Sequence, residues 1–322
     1  MCSGNHSVVL AIPSTDEGAM MSEGYNQVRD RWSTRAIEWS MYAMAWTART
    51  LTWYMSTWAL ARALSVIGCR LALVIPGVRR RADDNLQLVY PTMQKPERTR
   101  LIREAARQFI YLAIEYAHLD RFIRRVSVRH HGIEHLSAAH DAGKGAVIVT
   151  AHYGNWEAIR VAAKREGYEI GIIYRAFNNR YLDDFTMNMI PQAGEPVLQK
   201  GQGMRQLVSH VRRGGMMMIL VDQRNSGAPF IDFMGQPAET VTAAADIAAR
   251  TGAALIPARA VRDVSDRRFD VTFEAPVTGT DGVAMMTEVN RRITAWVAEQ
   301  PAHWFWFHRR WKSTSRSVDR PS

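Results

Sequence analysis

A chain of 322 residues with 47% hydrophobic side chains is long enough to bury one large core and too apolar to be mostly disordered. Its balance, Lys+Arg 41 against Asp+Glu 31 for a formal net charge of +10, favours anionic partners such as lipid headgroups, nucleic acid or acidic proteins. Cys2 and Cys69 are too few for a disulfide framework or a cysteine zinc site, so folding needs no oxidising compartment.

Residues 1–30 lack a basic segment followed by an apolar run and read as a loose tail, not a cleaved secretory signal. Trp32, Trp39, Trp46, Trp53, Leu60 and Ile67 then recur every seven residues, with no proline in the segment before Pro76. That spacing predicts a long helix over 31–75 with one aromatic stripe. The stripe suits either a protein core or a bilayer interface. Tryptophan prefers the headgroup level, and Arg35, Arg49, Arg62 and Arg70 can reach phosphates from the flanks, which favours the interface. Glu38 and these arginines interrupt the roughly 18 uncharged apolar residues expected of a membrane span.

The 76–322 segment is expected to be an α/β domain. Arg79, Arg80 and Arg81 follow Pro76-Gly77, and Leu101, Ala105, Phe109, Leu112 and Tyr116 set a packing helix over about 95–125. From Val126 the pattern changes to short apolar strands separated by helices: Ala146–Thr150, Glu169–Tyr174, Met216–Val221, Leu255–Val261 and Arg268–Phe273. Such alternation implies a mostly parallel central sheet flanked by helices.

The richest window is Gly145 to Glu157. An apolar strand ends at Thr150, and Tyr153-Gly154-Asn155 can turn the chain into a helix capped by Asn155. His152 then sits at the carboxyl end of a strand, where open α/β sheets place their sites. Glu157 falls in the first helical turn, from which its carboxylate can fold back to orient the imidazole for general-base work. Spacing alone is also met by any capped helix near a histidine. His131 to His135 fits the H-x-x-E-H zinc spacing, but Gly132 opposes the continuous helix that a metal site needs, and Val126–His131 reads better as a strand entering a turn. Gly201-Gln-Gly203 before a helix is a turn more often than a phosphate cradle. No metal or cofactor is expected.

The His152/Glu157 pair resembles the H-x-x-x-x-D/E motif of the late lipid A acyltransferases, the lauroyl and myristoyl transferase family that includes bacterial phosphatidylinositol mannoside acyltransferases. Four further stretches are similar to that family in order. They are Tyr174-Arg175 with Asn178-Asn179, Gly214-Gly215 with Met216–Gln223, Phe230–Pro237, and the tryptophan-rich Trp304–Lys312. The resemblance implies a glycerolipid-acyltransferase-like fold and direct transfer from acyl carrier protein to a hydroxyl of an anionic glycolipid such as a lipid A precursor. His152 would be the base and Glu157 its orienting acid, with no covalent nucleophile. The absence of a nearby cysteine or a G-x-S-x-G elbow agrees with this.

Asp232 departs from many lipid A members and matches the acid of the mannoside enzymes, which makes it a second candidate partner for His152. Arg175 would bind an acceptor phosphate or polarise the thioester, unless it pairs with Asp183 or Asp184. Asn178, Asp222, Gln223, Arg309 and Arg310 complete the expected substrate-binding set, and a hydrophobic groove beside His152 would hold the acyl chain. The enzyme would act as a monomer on the membrane surface at the cytoplasmic face of a bacterial inner membrane, without nucleic acid. Two other readings remain: a different lipid acyltransferase, such as a glycerolipid one, or a non-catalytic basic module whose Trp304–Lys312 aromatics stack on nucleic acid or sit in a bilayer.

Overall fold

The computed structural model describes residues 32–52, 59, 63–66, 69, 70, 75–176, 178–201, 203–265 and 267–311. The strands are β1 (Ser127–His131), β2 (Ala146–Thr150), β3 (Ile170–Tyr174), β4 (Val197–Gln199), β5 (Met216–Leu220), β6 (Phe230–Phe233), β7 (Gln236–Glu239), β8 (Ala254–Asp263) and β9 (Arg268–Phe273). All but β6 and β7 form one 7-stranded sheet in the order β1-β9-β8-β2-β5-β3-β4. Its neighbours are parallel except β8 and β9, so β9 and β1 run against the other strands.

The helices are α1 (Trp32–Thr52), α2 (Pro76–Val89), α3 (Lys95–Ala117), α4 (Leu119–Arg125), α5 (Glu134–Asp141), α6 (Glu157–Arg165), α7 (Arg180–Met187), α8 (Met204–Arg212), α9 (Ala243–Thr251) and α10 (Gly282–Glu299). They cover both faces of the sheet, and the side-chain alternation of a strand explains why both must be apolar. Every residue of β2 is buried. Val147 and Val149 join the core that includes α3, α9 and α10. Ala146 and Ile148 join the opposite core, with α6 and the Leu119–Phe122 turn of α4.

The centre of the sheet is also where the connections part. After β2 the chain enters α6 on one face, and after β5 it reaches α9 on the other. Adjacent parallel strands whose connections leave on opposite faces open a crevice at their carboxyl ends. His152 follows β2 and Asp222 follows β5 at that crevice.

Two expectations need correction. The helix expected over about 95–125 breaks at His118, where a single non-helical turn residue, φ -122 and ψ 36, separates α3 from α4. Phe109 on α3 is not packed in the core but is 47% exposed. Phe230–Pro237 is a hairpin with a two-residue turn at Met234-Gly235, both with positive φ, as the twist of a tight hairpin requires.

At the amino-terminal end, α1 carries the first part of the stripe. Trp39 and Trp46 are 57% and 51% exposed; Trp53, Leu60 and Ile67 lie outside the described residues, as do residues 1–31. Arg49 does not reach outward from this helix. It donates to Asp120 at 3.0 Å and lies 5.0 Å from the Phe185 ring. Tyr42 packs on Tyr181 and Phe185, and Asn179 donates to the Glu38 carbonyl at 2.9 Å, so α1 is fastened to α7. No described helix is long and apolar enough to cross a membrane.

The loop after β2 is pressed against its neighbours at Gly154, which has φ +60 and donates to the His303 carbonyl at 3.0 Å. A Cβ there would lie 1.9 Å from the Ala260 carbonyl oxygen of β8, so only glycine lets the loop approach β8 this closely. Gly154→Ala is expected to cost roughly 1–3 kcal/mol, read as a lowered thermal midpoint by circular dichroism. An unchanged midpoint would mean that the loop is not so constrained.

Candidate active site

The register of the sheet assembles the site. β2 and β5 pair from Ala146↔Met216 to Thr150↔Leu220, a constant offset of 70 positions, and the backbone of Val221 continues the ladder to the Thr150 carbonyl at 3.0 Å. Two residues beyond each strand, His152 and Asp222 therefore stand side by side. The Asp222 carboxylate accepts from the His152 backbone N–H at 2.9 Å through Oδ2 and lies 2.7 Å from His152 Nδ1 through Oδ1. The Trp304 indole donates to the same Oδ2 at 2.8 Å.

The electrostatics follow from these contacts. Burial alone pushes the Asp222 carboxyl upward. The neighbouring His152, by charge and by hydrogen bonds from ring and backbone, together with the Trp304 indole, outweighs burial and holds Asp222 below its ordinary value. A carboxylate on Nδ1 fixes the proton there and leaves Nε2 as the acceptor. Nε2 faces Gln223, whose amide nitrogen is 3.1 Å away. An exposed amide thus occupies the place that an incoming O–H donor would take.

The carboxylate expected from sequence to hold His152 does something else. Glu157 is fully buried and forms an ion pair with Arg160 at 2.6 Å, one turn along α6. It also accepts from the Tyr116 hydroxyl at 2.7 Å. Burial and the adjacent Glu157 push the Tyr116 phenol well up, so it stays protonated as a donor. Arg160 donates onward to the Ile170 and Gly194 carbonyls. The i to i+5 spacing starts Glu157 in the helix with its side chain turned toward i+3, away from the imidazole. Asp232 is not the partner either: it is exposed on β6, and its carboxylate accepts from the Gly235 N–H at 3.3 Å across the hairpin turn.

The remaining expected site residues divide. Gln223 and Asp222 meet His152. Arg175 and Asn178 are exposed beyond the end of β3. Arg309 is exposed, but Arg310 is fully buried, donates to the Glu239 carbonyl and the Thr240 hydroxyl at 2.5 Å each, and stacks 5.0 Å from the Phe233 ring. Burial lowers the Arg310 guanidinium to about 10. It is a core strut, not a substrate contact. Trp304, Trp306 and Trp311 are likewise buried, so the terminal box offers those rings neither to nucleic acid nor to a bilayer. Lys312 lies outside the described residues.

Beside His152 a cavity of about 60 Å³ is walled by apolar side chains, among them Phe109, Leu112, Trp156 and Phe305. Phe109 and Phe305, 5.0 Å apart, also wall a larger cavity of about 910 Å³ between α2, α3 and the terminal box, lined by Ile75, Val78, Ile110 and Phe307 with Arg81 and Arg309. Phe109 is therefore exposed into an apolar trough made of these two neighbouring cavities, the smaller of which His152 lines. The volume is at the upper end of ligand pockets, about 300–1,000 Å³. Sequence reading placed a groove beside His152 but missed α3 as its wall; the aromatic Phe109 in an otherwise buried apolar spacing was the available signal.

Comparison with known proteins matches residues 29–313 to a family described as bacterial lipid A biosynthesis acyltransferase. The chain is similar to a phosphatidylinositol mannoside acyltransferase of Mycobacterium tuberculosis, 27% identical over 56% of this chain and 58% of that protein. It is similar also to lipid A biosynthesis acyltransferases of Haemophilus influenzae, 22% identical over 71% of this chain and 74% of the relative, and of Shigella flexneri, 24% identical over 78% and 85%. The chain thus spans less than two thirds of the mycobacterial relative's length.

Breaking a buried ion pair by removing one partner costs roughly 3–5 kcal/mol. Glu157→Gln is accordingly expected to lower the denaturant midpoint strongly, because Arg160 keeps its charge without its carboxylate. A midpoint equal to wild type would show that the pair does not support the fold.

Proposed function

Because the chain belongs to the bacterial lipid A biosynthesis acyltransferase family, we propose that it transfers a fatty acyl group from the thioester of acyl carrier protein to a hydroxyl of a lipid A precursor or a similar anionic glycolipid. The observation that carries this reading is the His152–Asp222 pair opening onto an apolar trough. A proton acceptor beside a slot for a long apolar group is what acyl transfer to an alcohol needs.

In this mechanism the acceptor hydroxyl displaces the Gln223 amide from His152 Nε2 and gives its proton to that nitrogen. Asp222 holds Nδ1–H and stabilises the imidazolium. The alkoxide oxygen forms a bond to the thioester carbon, and the carbonyl electron pair moves to oxygen. That pair then returns, the carbon–sulfur bond breaks, and the thiolate takes the proton from His152. Ester and free thiol result, and no acyl-enzyme forms. Glu157 has no chemical step in this account; with Arg160 and Tyr116 it sets the helix that follows the catalytic loop.

The surface suits an amphiphilic substrate and an acidic donor. Arg81 and Arg309 line the larger cavity, and Arg79 and Arg80 are exposed beside Arg81 on α2; they can attract carrier protein or anionic headgroups. Ile37, Trp39 and Trp46 project from α1 and would rest in the headgroup layer, placing the enzyme on the cytoplasmic face of a bacterial inner membrane. Residues 31–75 act here as a membrane-associating segment of the 76–322 catalytic domain. One chain supplies every group the mechanism uses, as befits a monomer. Arg175 and Asn178, exposed after β3, would meet acceptor phosphate in this reading.

His152→Ala and Asp222→Asn are each expected to reduce kcat by about 10²- to 10⁴-fold with carrier-protein thioester as donor and a lipid A precursor as acceptor, product being read by mass spectrometry. Near-wild-type turnover in His152→Ala would refute the base; the same result in Asp222→Asn would refute its partner.

A further inference from the structure

The cavity at His152 is apolar apart from a few polar groups, and most of these have an assigned direction. Gly154 N–H donates to the His303 carbonyl and Phe305 N–H to the His152 carbonyl. The Trp304 indole is on Asp222 and the Trp156 indole hydrogen-bonds to Tyr116. His303 is held neutral because burial lowers it to about 4, and neither of its buried ring nitrogens has a hydrogen-bond partner among the described residues. Gln108 on α3 is the lining side chain whose amide has its direction fixed by a charged partner.

Gln108 has its carbonyl end fixed. Arg262 Nη1 donates to Gln108 Oε1, and since a guanidinium only donates, the amide cannot be reversed there. Arg262 is itself immobile: it donates to both Glu115 oxygens, at 3.1 and 2.5 Å, and lies 5.1 Å from the Tyr111 ring and 5.0 Å from the Phe269 ring. Glu115 in turn accepts from Asn155 at 2.8 Å, three residues after His152. This buried chain runs from the catalytic loop through Glu115 and Arg262 to Gln108. It ends with the Nε2 donors of Gln108, which have no protein partner among the described residues, in the wall of the cavity that His152 also lines.

From this arrangement we propose that Gln108 is a catalytic residue whose Nε2–H donates to the thioester carbonyl oxygen as that oxygen becomes negative. The inference rests on the acyl-transfer reading above. The step is balanced within that mechanism: the hydroxyl oxygen bonds to the carbonyl carbon, the π pair moves to the oxygen facing Gln108, and its return expels thiolate, which takes the His152 proton. A donor fixed in advance in an apolar pocket stabilises developing charge without reorganising at that moment. The Arg262 contact also polarises the amide, which strengthens its N–H donors.

The test separates this donor from a mere strut. Gln108→Glu keeps an oxygen for Arg262 and strengthens that contact by its charge, but presents no N–H. Gln108→Met removes both. With carrier protein charged with a dodecanoyl thioester and a lipid A precursor as acceptor, either variant is expected to lose about 10²- to 10³-fold in kcat, with KM changed little and, for Gln108→Glu, an unchanged thermal midpoint. Wild-type kcat in whichever variant retains the wild-type midpoint overturns the proposal. Wild type and His152→Ala run in parallel separate the two claims. No transfer by wild type sinks the acyl-transfer reading itself and full activity in His152→Ala refutes the base, whereas a dead His152→Ala beside a fully active Gln108→Glu removes only the role of Gln108.

Discussion

Asp222 is a buried carboxylate that gathers three donors, the backbone and ring of His152 and the indole of Trp304, and the rest of the site hangs on it. Burying a carboxylate is unfavourable unless it is paired and hydrogen-bonded, so its two oxygens draw together two strand ends and the terminal segment. Standing in the loop after β5, Asp222 takes donors from the loop after β2 and from the Trp304 region. Further ties reinforce the junction: Phe305 donates to the His152 carbonyl at 3.0 Å, and the Arg224 backbone donates to His308 at 3.2 Å. The terminal tryptophans close the core around this charge, with Trp304 and Trp306 edge to face at 4.7 Å.

A second buried polar system lies behind the first and supports it from the other side. Tyr116, Glu157 and Arg160 fix α6 against α3 and β3, while Glu115, Arg262 and Asn155 fix α3 against β8 and the catalytic loop. Each charge in these chains has a partner, which is the condition for burying them at all. The two systems do different work. One sets the chemistry of the imidazole, and the other sets where α3 stands and therefore the shape of the trough that Phe109 lines.

The sheet was legible at β2 because a strand buried on both faces writes itself as an unbroken apolar run, and at β9 because buried and half-buried residues alternate along it. Ala146–Thr150 and Arg268–Phe273 have the observed bounds, and Val126–His131 differs from β1 by one residue. His152 was legible as a strand-end residue for the same reason. Its partner was not: Asp222 is 70 positions away, and only the register of β2 against β5 makes them neighbours. Local spacing pointed to Glu157, but a residue entering a helix finds its contacts at i+3, here Arg160. Arg310 and the tryptophans misled in another way. Arginine and tryptophan side by side read as an exposed recognition surface until packing shows the guanidinium donating to the Glu239 carbonyl and the Thr240 hydroxyl inside the core.

The claim at the centre of this account is that Asp222, and not Glu157, holds the proton of His152 Nδ1. Proton–nitrogen NMR of protein labelled in its histidine rings reads that bond directly, with His152→Gln used for assignment. A downfield, slowly exchanging Nδ1–H resonance from His152 is expected in wild type, lost in Asp222→Asn and kept in Glu157→Gln. Persistence of that resonance in Asp222→Asn, together with its loss in folded Glu157→Gln, would contradict the account.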